Sequence, residues 1–189
     1  YEEKFRGLKA FLGYMYSHPG KKLLFMGQEF GQFIEWDEKK QLDWFLLDYD
    51  AHKNLHAFVK KLNKVYKDNP ALWEIDYSWD GFTWLVSDDN QNSVAAFERR
   101  DSDGDRIIAI CNFTPVTREN YRIGVERKGS LTYLLDSEST EFGGSDEISK
   151  KRIYTEKLPM HGKEHSFPVT IPGLSCIYLK YKPYKTKSK

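Results

Sequence analysis

The sequence predicts a mainly β protein, in which an antiparallel β-sandwich is preceded by a segment of two helices and one buried strand. Apolar residues recur at three- and four-residue intervals in residues 1–17 and 51–68, which is typical of amphipathic helices. Residues 23–26 form an uninterrupted apolar run, as expected of a strand covered on both faces. From about residue 78 the apolar period changes from 3.6 to 2, and short β-rich runs alternate with turn residues, as in sandwiches.

The first helix and the strand after it form a recognisable unit. The stripe of the helix consists of Phe5, Leu8, Phe11, Leu12 and Met15. A Ser-His-Pro-Gly sequence ends the helix, and the predicted strand 22–26 follows after a short turn. A helix, a tight loop and a buried strand in this order indicate part of a parallel α/β sheet. Because the chain starts in helical register without a cap, we expect it to be part of a longer protein.

Residues 27–50 form a long connection between the strand and the second helix. A connection of this length in a compact domain is usually functional. Asp50 is placed to cap the helix 51–68, which ends before Asn69-Pro70.

The sandwich strands follow one another at short spacing. They are predicted at residues 81–87, 93–100, 106–113, 120–126, 130–136, 148–157, 165–171 and 174–182. The aspartate- and glycine-rich segment 101–105 is a predicted hairpin turn, and the lysine-rich tail after Lys182 is expected to fray.

Composition excludes several classes of protein. The formal net charge of the 189 residues is +1 and charges of both signs are interspersed, which argues against nucleic-acid and membrane-surface partners. No apolar stretch approaches the roughly 20 residues of a membrane span. Cys111 and Cys176, the two cysteines, lie in strand-like runs and are expected to be free buried thiols. We therefore expect a cytoplasmic protein.

Glu29 is the strongest candidate for a chemically active residue, because it lies just past the predicted buried strand. A desolvated carboxylate there could act as an acid or a base, or it could support neighbouring groups. Glycoside chemistry requires two opposed carboxylates, and the partners nearby in sequence, Glu35, Asp37 and Asp43, lie on the same loop. A supporting role in a sugar site is the better interpretation.

Aromatic and histidine residues give weaker signals. Trp36 is the best candidate for stacking on a sugar, whereas Trp44 and Trp73 are expected at an interface and Trp84 in the core. The pair His52 and His56 has a metal-compatible spacing but lacks a third ligand, so no metal site is predicted.

Ordered segments along almost the whole chain are similar to one known family. They include Lys21-Lys22-Leu23-Leu24-Phe25-Met26-Gly27, Glu29-Phe30-Gly31-Gln32, Glu35-Trp36, Leu42-Asp43-Trp44, Cys111-Asn112-Phe113-Thr114-Pro115-Val116, Glu141-Phe142-Gly143-Gly144-Ser145 and His161-Gly162-Lys163. This ordered set resembles the carboxyl-terminal part of the 1,4-α-glucan (glycogen) branching enzymes, which belong to the α-amylase superfamily. Three residues depart from the family pattern, namely Asp136, Met160 and Asp37. These departures concern only local loop contacts.

The resemblance implies a layout of two parts. Residues 1–75 would be the end of a catalytic (β/α)8 barrel, with its last helices and eighth strand, and residues 76–189 the α-amylase-type C-terminal all-β domain. The catalytic carboxylates of the family would precede residue 1, so the chain alone is expected to be inactive. Glu29, Phe30 and Trp36 would border the glucan site, and no cofactor is implied.

The resemblance also implies an activity and partners. The parent protein would cleave α-1,4 bonds and form α-1,6 branches by a retaining mechanism. Its partners would be α-glucan and the remainder of the barrel, and the isolated chain could self-associate. Two alternatives stay open: a carbohydrate-binding β-sandwich module, and a debranching or trehalose-releasing relative.

Overall fold

The computed structural model describes residues 1–185 and contains two helices and eight strands in that part of the chain. The helices are α1 (Glu2–Ser17) and α2 (Asp50–Asp68). The strands are β1 (Phe82–Asp89), β2 (Val94–Arg100), β3 (Arg106–Asn112), β4 (Arg118–Val125), β5 (Gly129–Asp136), β6 (Ile153–Tyr154), β7 (His165–Ile171) and β8 (Ser175–Pro183). The fraying predicted after Lys182 falls largely on residues 186–189, which lie outside the described residues.

The strands form two antiparallel sheets that lie face to face, as predicted. The larger sheet has six strands in the order β1-β2-β3-β8-β5-β6, and the smaller sheet pairs β4 with β7. The helices cover the other face of the large sheet, with α1 against β8 and β3 and α2 against β5. The large sheet is therefore the central layer of three.

Strand β3 shows why this sheet has two apolar faces. Ile107, Ala109 and Cys111 belong to the hydrophobic cluster beneath the helices, whereas Ile108 and Ile110 belong to the cluster shared with β4 and β7. All five side chains are at most 1% exposed. Because successive side chains point to opposite faces, a strand covered on both sides reads as a continuous apolar run.

The helices and the sandwich share one core. The cluster beneath the helices combines Leu12 of α1 and Phe58 of α2 with Phe97 and Tyr178 of the sheet. The division into units at residues 1–75 and 76–189 stays a prediction.

The predicted strand at residues 22–26 is wrong for the chain as described. These residues form no strand, and within residues 1–185 no strand pairs with them. Leu23, Phe25 and Met26 are 74%, 50% and 49% exposed. A strand requires a neighbour to receive its backbone hydrogen bonds, and the described chain supplies none beside this segment.

Three smaller expectations also differ. Phe11, expected in the buried stripe, is 56% exposed, and the buried face instead carries Lys9 and Tyr16. Asp50 is the first residue of α2, and its side chain makes no cap hydrogen bond there. The predicted strand at 148–157 is reduced to the two residues of β6, which pair with β5.

Candidate functional site

The segment 27–36 forms a compact loop that is closed by two glycines in the left-handed region. Gly27 (φ 85°) and Gly31 (φ 73°) flank a short 3-10 turn, Gln28–Phe30. The Gln32 amide donates to the Gly27 carbonyl at 3.0 Å, and the Gln32 side-chain oxygen accepts from the Asp43 amide at 2.8 Å. The loop is thus held at its base and connected to the segment that leads into α2.

Glu29 lies half-buried on the wall of an open cleft of about 380 Å³. The other lining residues are Leu24, Met26, Leu42, His56, Val59, Lys60 and Asn63. Burial lowers the pKa of His56, the Lys60 ammonium lowers it further, and the Glu29 carboxylate opposes both effects. A neutral imidazole therefore faces Glu29 at pH 7, together with a lysine and an amide, so the cleft combines apolar walls with hydrogen-bonding groups.

Phe30 is placed differently from Glu29. Its ring is fully buried and lies 5.1 Å from the ring of Trp44 between centroids. Its carbonyl oxygen accepts a 2.7 Å hydrogen bond from His52 Nδ1, and the Tyr1 hydroxyl lies 3.1 Å from His52 Nε2. Because Nδ1 donates, Nε2 is the acceptor for Tyr1. The ring of Phe30 thus supports the loop from beneath, with no free face for a ligand.

Trp36 is the predicted sugar-facing residue with an open surface. Its side chain is 40% exposed and makes an edge contact with Phe25, at 5.5 Å between centroids and 81° between planes. The Phe25 amide in turn donates to the Gln28 side-chain oxygen at 2.9 Å. Trp36 and Glu29 therefore belong to one loop structure, with Trp36 at its surface, Glu29 in its cleft and Phe30 beneath it.

A second concave surface lies where α1 ends against the sheet. This aromatic cleft measures about 310 Å³ and is lined by His18, Pro19, Asp76, Tyr77, Ser78, Trp79, Phe82 and Trp84. Trp79 is 78% exposed, and Trp84, which was expected in the core, is 37% exposed. Trp84 reaches the rim because it lies on β1, the outer strand of the large sheet, where it contacts Phe82 and Phe97 at 5.1 and 5.4 Å.

Three ionic contacts to two buried carboxylates, Glu138 and Asp76, fix the elements around α1. Lys9 and Arg6 of α1 contact the Glu138 carboxylate at 3.1 and 2.9 Å. Arg99 of β2 is fully buried, pairs with Asp76 at 2.6 Å, and donates to the Ser17 carbonyl at the end of α1. The sequence analysis predicted none of these three contacts, although Lys9 lies one turn after Phe5 on the buried face of α1.

No described group of side chains offers a metal site. Residues 1–185 contain no cluster of three or more His, Cys, Asp or Glu side chains able to hold an ion. His52, one of the spaced histidines, uses both ring nitrogens in the contacts above. None of the described helices is long and apolar enough to cross a membrane.

Known proteins match this chain in sequence. It is 46% identical over 182 residues to the 1,4-alpha-glucan branching enzyme GlgB of Aquifex aeolicus (strain VF5), covering 96% of this chain and 29% of that protein. The GlgB of Halothermothrix orenii (strain H 168 / OCM 544 / DSM 9562) is also 46% identical, over 95% of this chain and 29% of the relative. The chain thus spans less than a third of the length of the curated relatives it matches.

Solved structures match in fold at low sequence identity. The catalytic module of the multi-modular glycogen-degrading pneumococcal virulence factor SpuA has a TM-score of 0.63 at 15% identity, covering 95% of this chain and 32% of that one. An Anoxybacillus alpha-amylase has a TM-score of 0.61 at 18% identity, covering 95% and 33%. At these identities the likeness concerns the fold alone.

The family described as "Alpha amylase, C-terminal all-beta domain" matches residues 84–182, which is more than half of the chain and includes most of the two sheets. The match agrees with the antiparallel sandwich, and this chain belongs to that alpha-amylase C-terminal all-beta domain family.

Proposed function

We propose that this chain is the carboxyl-terminal part of a 1,4-α-glucan branching enzyme. Such an enzyme cleaves α-1,4 bonds through a covalent glycosyl intermediate and passes the chain to a 6-hydroxyl, forming an α-1,6 branch. The observation that carries the proposal is the 46% identity, over 96% of the chain, to a branching enzyme. Its partners would be α-glucan and the remaining barrel of the same protein.

Within that enzyme the loop 27–36 would border the glucan-binding cleft. Trp36 would stack on a sugar ring, because its side chain is exposed and an edge contact with Phe25 fixes its position. Glu29 would orient the glucan from the cleft wall, and Phe30 would hold the turn in place from beneath. None of the three would take part in bond cleavage.

A chimera tests this assignment. The matching 182 residues of the Aquifex aeolicus enzyme are replaced by this chain, and branching is measured as the loss of iodine staining of amylose. We expect the chimera to retain branching, and both the isolated chain and the Aquifex enzyme lacking the segment to be inactive. A folded chimera that releases reducing sugar without making branches would contradict the proposal and favour a debranching relative.

A second candidate function rests on the aromatic cleft. Trp79 and Tyr77 are 78% and 82% exposed beside the half-open Trp84, which is an arrangement suited to the flat apolar faces of sugars. The sandwich would then bind glucan without the barrel. In glycogen-containing gels we expect retarded migration of the chain and loss of retardation for Trp79→Ala, with Trp73→Ala, outside the cleft, as the control. Unchanged mobility of the wild-type chain would rule this function out.

The location of the protein is inferred from its composition. The balanced charge and the two free thiols favour the cytoplasm, with no nucleic-acid or membrane partner. Fractionation of cells that produce the full-length protein tests this inference.

A further inference from the structure

The two cysteines of the chain lie directly opposite each other in the centre of the large sheet. Cys111 of β3 and Cys176 of β8 are register partners, and their sulfur atoms are 3.3 Å apart. Both are free thiols and both are 0% exposed. They are the only cysteines among the 189 residues, so neither thiol has another partner within the chain.

The backbone around Cys176 identifies the type of this cross-strand pair. The Cys176 amide donates to Ser137 Oγ at 2.9 Å, and its carbonyl accepts from the Ser137 amide at 3.0 Å. Both backbone groups thus point to the β5 side, away from β3. Cys111 and Cys176 therefore form a non-hydrogen-bonded pair, in which Cα atoms are about 4.5 Å apart and side chains approach closely. That separation falls within the roughly 4.4–6.8 Å that a disulfide spans.

Helix α1 covers the pair at a glycine. A Cβ atom at Gly13 would lie 2.6 Å from Cys176 Cβ and 2.7 Å from its sulfur, so the helix backbone rests on the thiol. The Tyr178 hydroxyl donates to the Gly13 carbonyl at 2.5 Å and holds the helix there. Burial raises the pKa of the Cys176 thiol well above its usual range, so reactive thiolate is scarce beneath the helix.

We propose that Cys111 and Cys176 are a latent dithiol that a peroxide converts to a cross-strand disulfide when α1 moves away from the sheet. One thiolate attacks a peroxide oxygen, the O–O bond breaks, and a sulfenic acid and the first water form. The second thiol then attacks the sulfenic sulfur, the S–S bond forms, and the hydroxyl leaves as the second water. Two thiols are oxidised while hydrogen peroxide is reduced to two waters, and a dithiol reductant reverses the reaction by exchange.

The disulfide would join two central strands with little movement of either. It links residues 65 positions apart, so it removes substantial freedom from the unfolded chain. We expect the oxidised chain to melt roughly 5–15 °C higher than the reduced chain. The disulfide would thus form only after α1 has moved away from the sheet, and it would stabilise the sheet afterwards.

The test exposes the 189-residue chain to hydrogen peroxide at increasing urea concentrations below the unfolding midpoint. Differential alkylation with mass spectrometry then measures the intramolecular disulfide. We expect the rate of disulfide formation to rise with urea and to be severalfold faster in Gly13→Ala, whose methyl group pushes α1 from the thiols. Cys111→Ala should form no intramolecular disulfide, and the oxidised wild type should show the higher melting temperature.

Other results would overturn the proposal. Singly oxidised sulfurs or intermolecular dimers in place of the internal disulfide would contradict the pairing geometry. A rate independent of urea would contradict the gating by α1, and this measurement stands even if Gly13→Ala fails to fold. An unchanged or lower melting temperature after oxidation would mean that the bond strains the sheet.

Discussion

Lys9 shows how a charged residue can occupy a core position in a helix. It is 3% exposed, yet its ammonium donates to the carbonyl oxygens of Ser137 and Phe142 and pairs with Glu138. Burying a charge is costly unless it is both paired and hydrogen-bonded, and here both conditions are met. The residue therefore fixes α1 to the loop after β5.

Replacing Lys9 tests this role. In Lys9→Met the Glu138 carboxylate stays buried and keeps only Arg6 as an ionic partner. Removing one partner of a buried pair costs about 3 kcal/mol or more, so the urea midpoint should fall clearly. The control is Lys64→Met, which breaks an ion pair of 2.6 Å between side chains that are 71% and 55% exposed. An exposed pair contributes little, and equal losses in both variants would contradict the assignment.

Glu138 should also make stability depend on pH. Burial raises the pKa of this carboxyl, and the nearby Lys9 and Arg6 only partly offset the effect. Its folded pKa exceeds the unfolded value of about 4.3, so between the two values the folded state binds more protons than the unfolded state. This contribution is favourable at low pH and is lost as the pH rises through the folded pKa.

Comparing pH profiles of Glu138→Gln and the wild type isolates this effect. The variant should be less stable overall, because Lys9 loses its ionic partner, but its urea midpoint should fall less than that of the wild type as the pH rises above about 4.3. Parallel profiles would show that Glu138 has the same pKa in both states.

At the scale of the elements, the shape of the loop 27–36 requires glycines that adopt a left-handed backbone conformation. Gly31 has φ 73°, and a Cβ atom there would lie 3.0 Å from Leu55 and 3.2 Å from Phe5. Gly31→Ala combines an unfavourable backbone with a tight contact, so it should destabilise the chain by about 1–3 kcal/mol. Gly7 lies within α1 with open space around it, so Gly7→Ala should stabilise by about 0.5–1 kcal/mol. Thermal unfolding measures the change in stability of each variant. If both variants were stabilised, or both destabilised, the different roles of the two glycines would be contradicted.

Element types were predictable where local pattern and packing agree. The stripe of α2 and the apolar run of β3 both specify buried faces, and both elements formed as expected. The run at 22–26 carries an equally strong local pattern, but a strand also needs neighbours, which the pattern does not supply. The sequence places Glu29 and Trp36 on one loop, and their role there stays a prediction. The burial of Phe30 depends on contacts with Trp44 and His52, which lie 14 and 22 residues further along the chain.

At the scale of the whole molecule, large apolar side chains are unevenly distributed over the surface. Between residues 23 and 45 eight of them are at least 40% exposed: Leu23, Phe25, Met26, Phe33, Ile34, Trp36, Trp44 and Phe45. An exposed apolar surface of this extent is typical of a face that another protein element covers. In the proposed enzyme that element would be the rest of the barrel.

The isolated chain should therefore self-associate through this surface. Light scattering should give a mass above the 22.2 kDa of the monomer that increases with concentration. Phe25→Asp places a charge within the surface and should shift the chain towards monomer, because burying an unpaired carboxylate opposes association. Tyr154→Asp is the matched control, since Tyr154 is 58% exposed on β6, on a different part of the fold. A strict monomer at all concentrations would mean that the exposed side chains do not drive contact between copies.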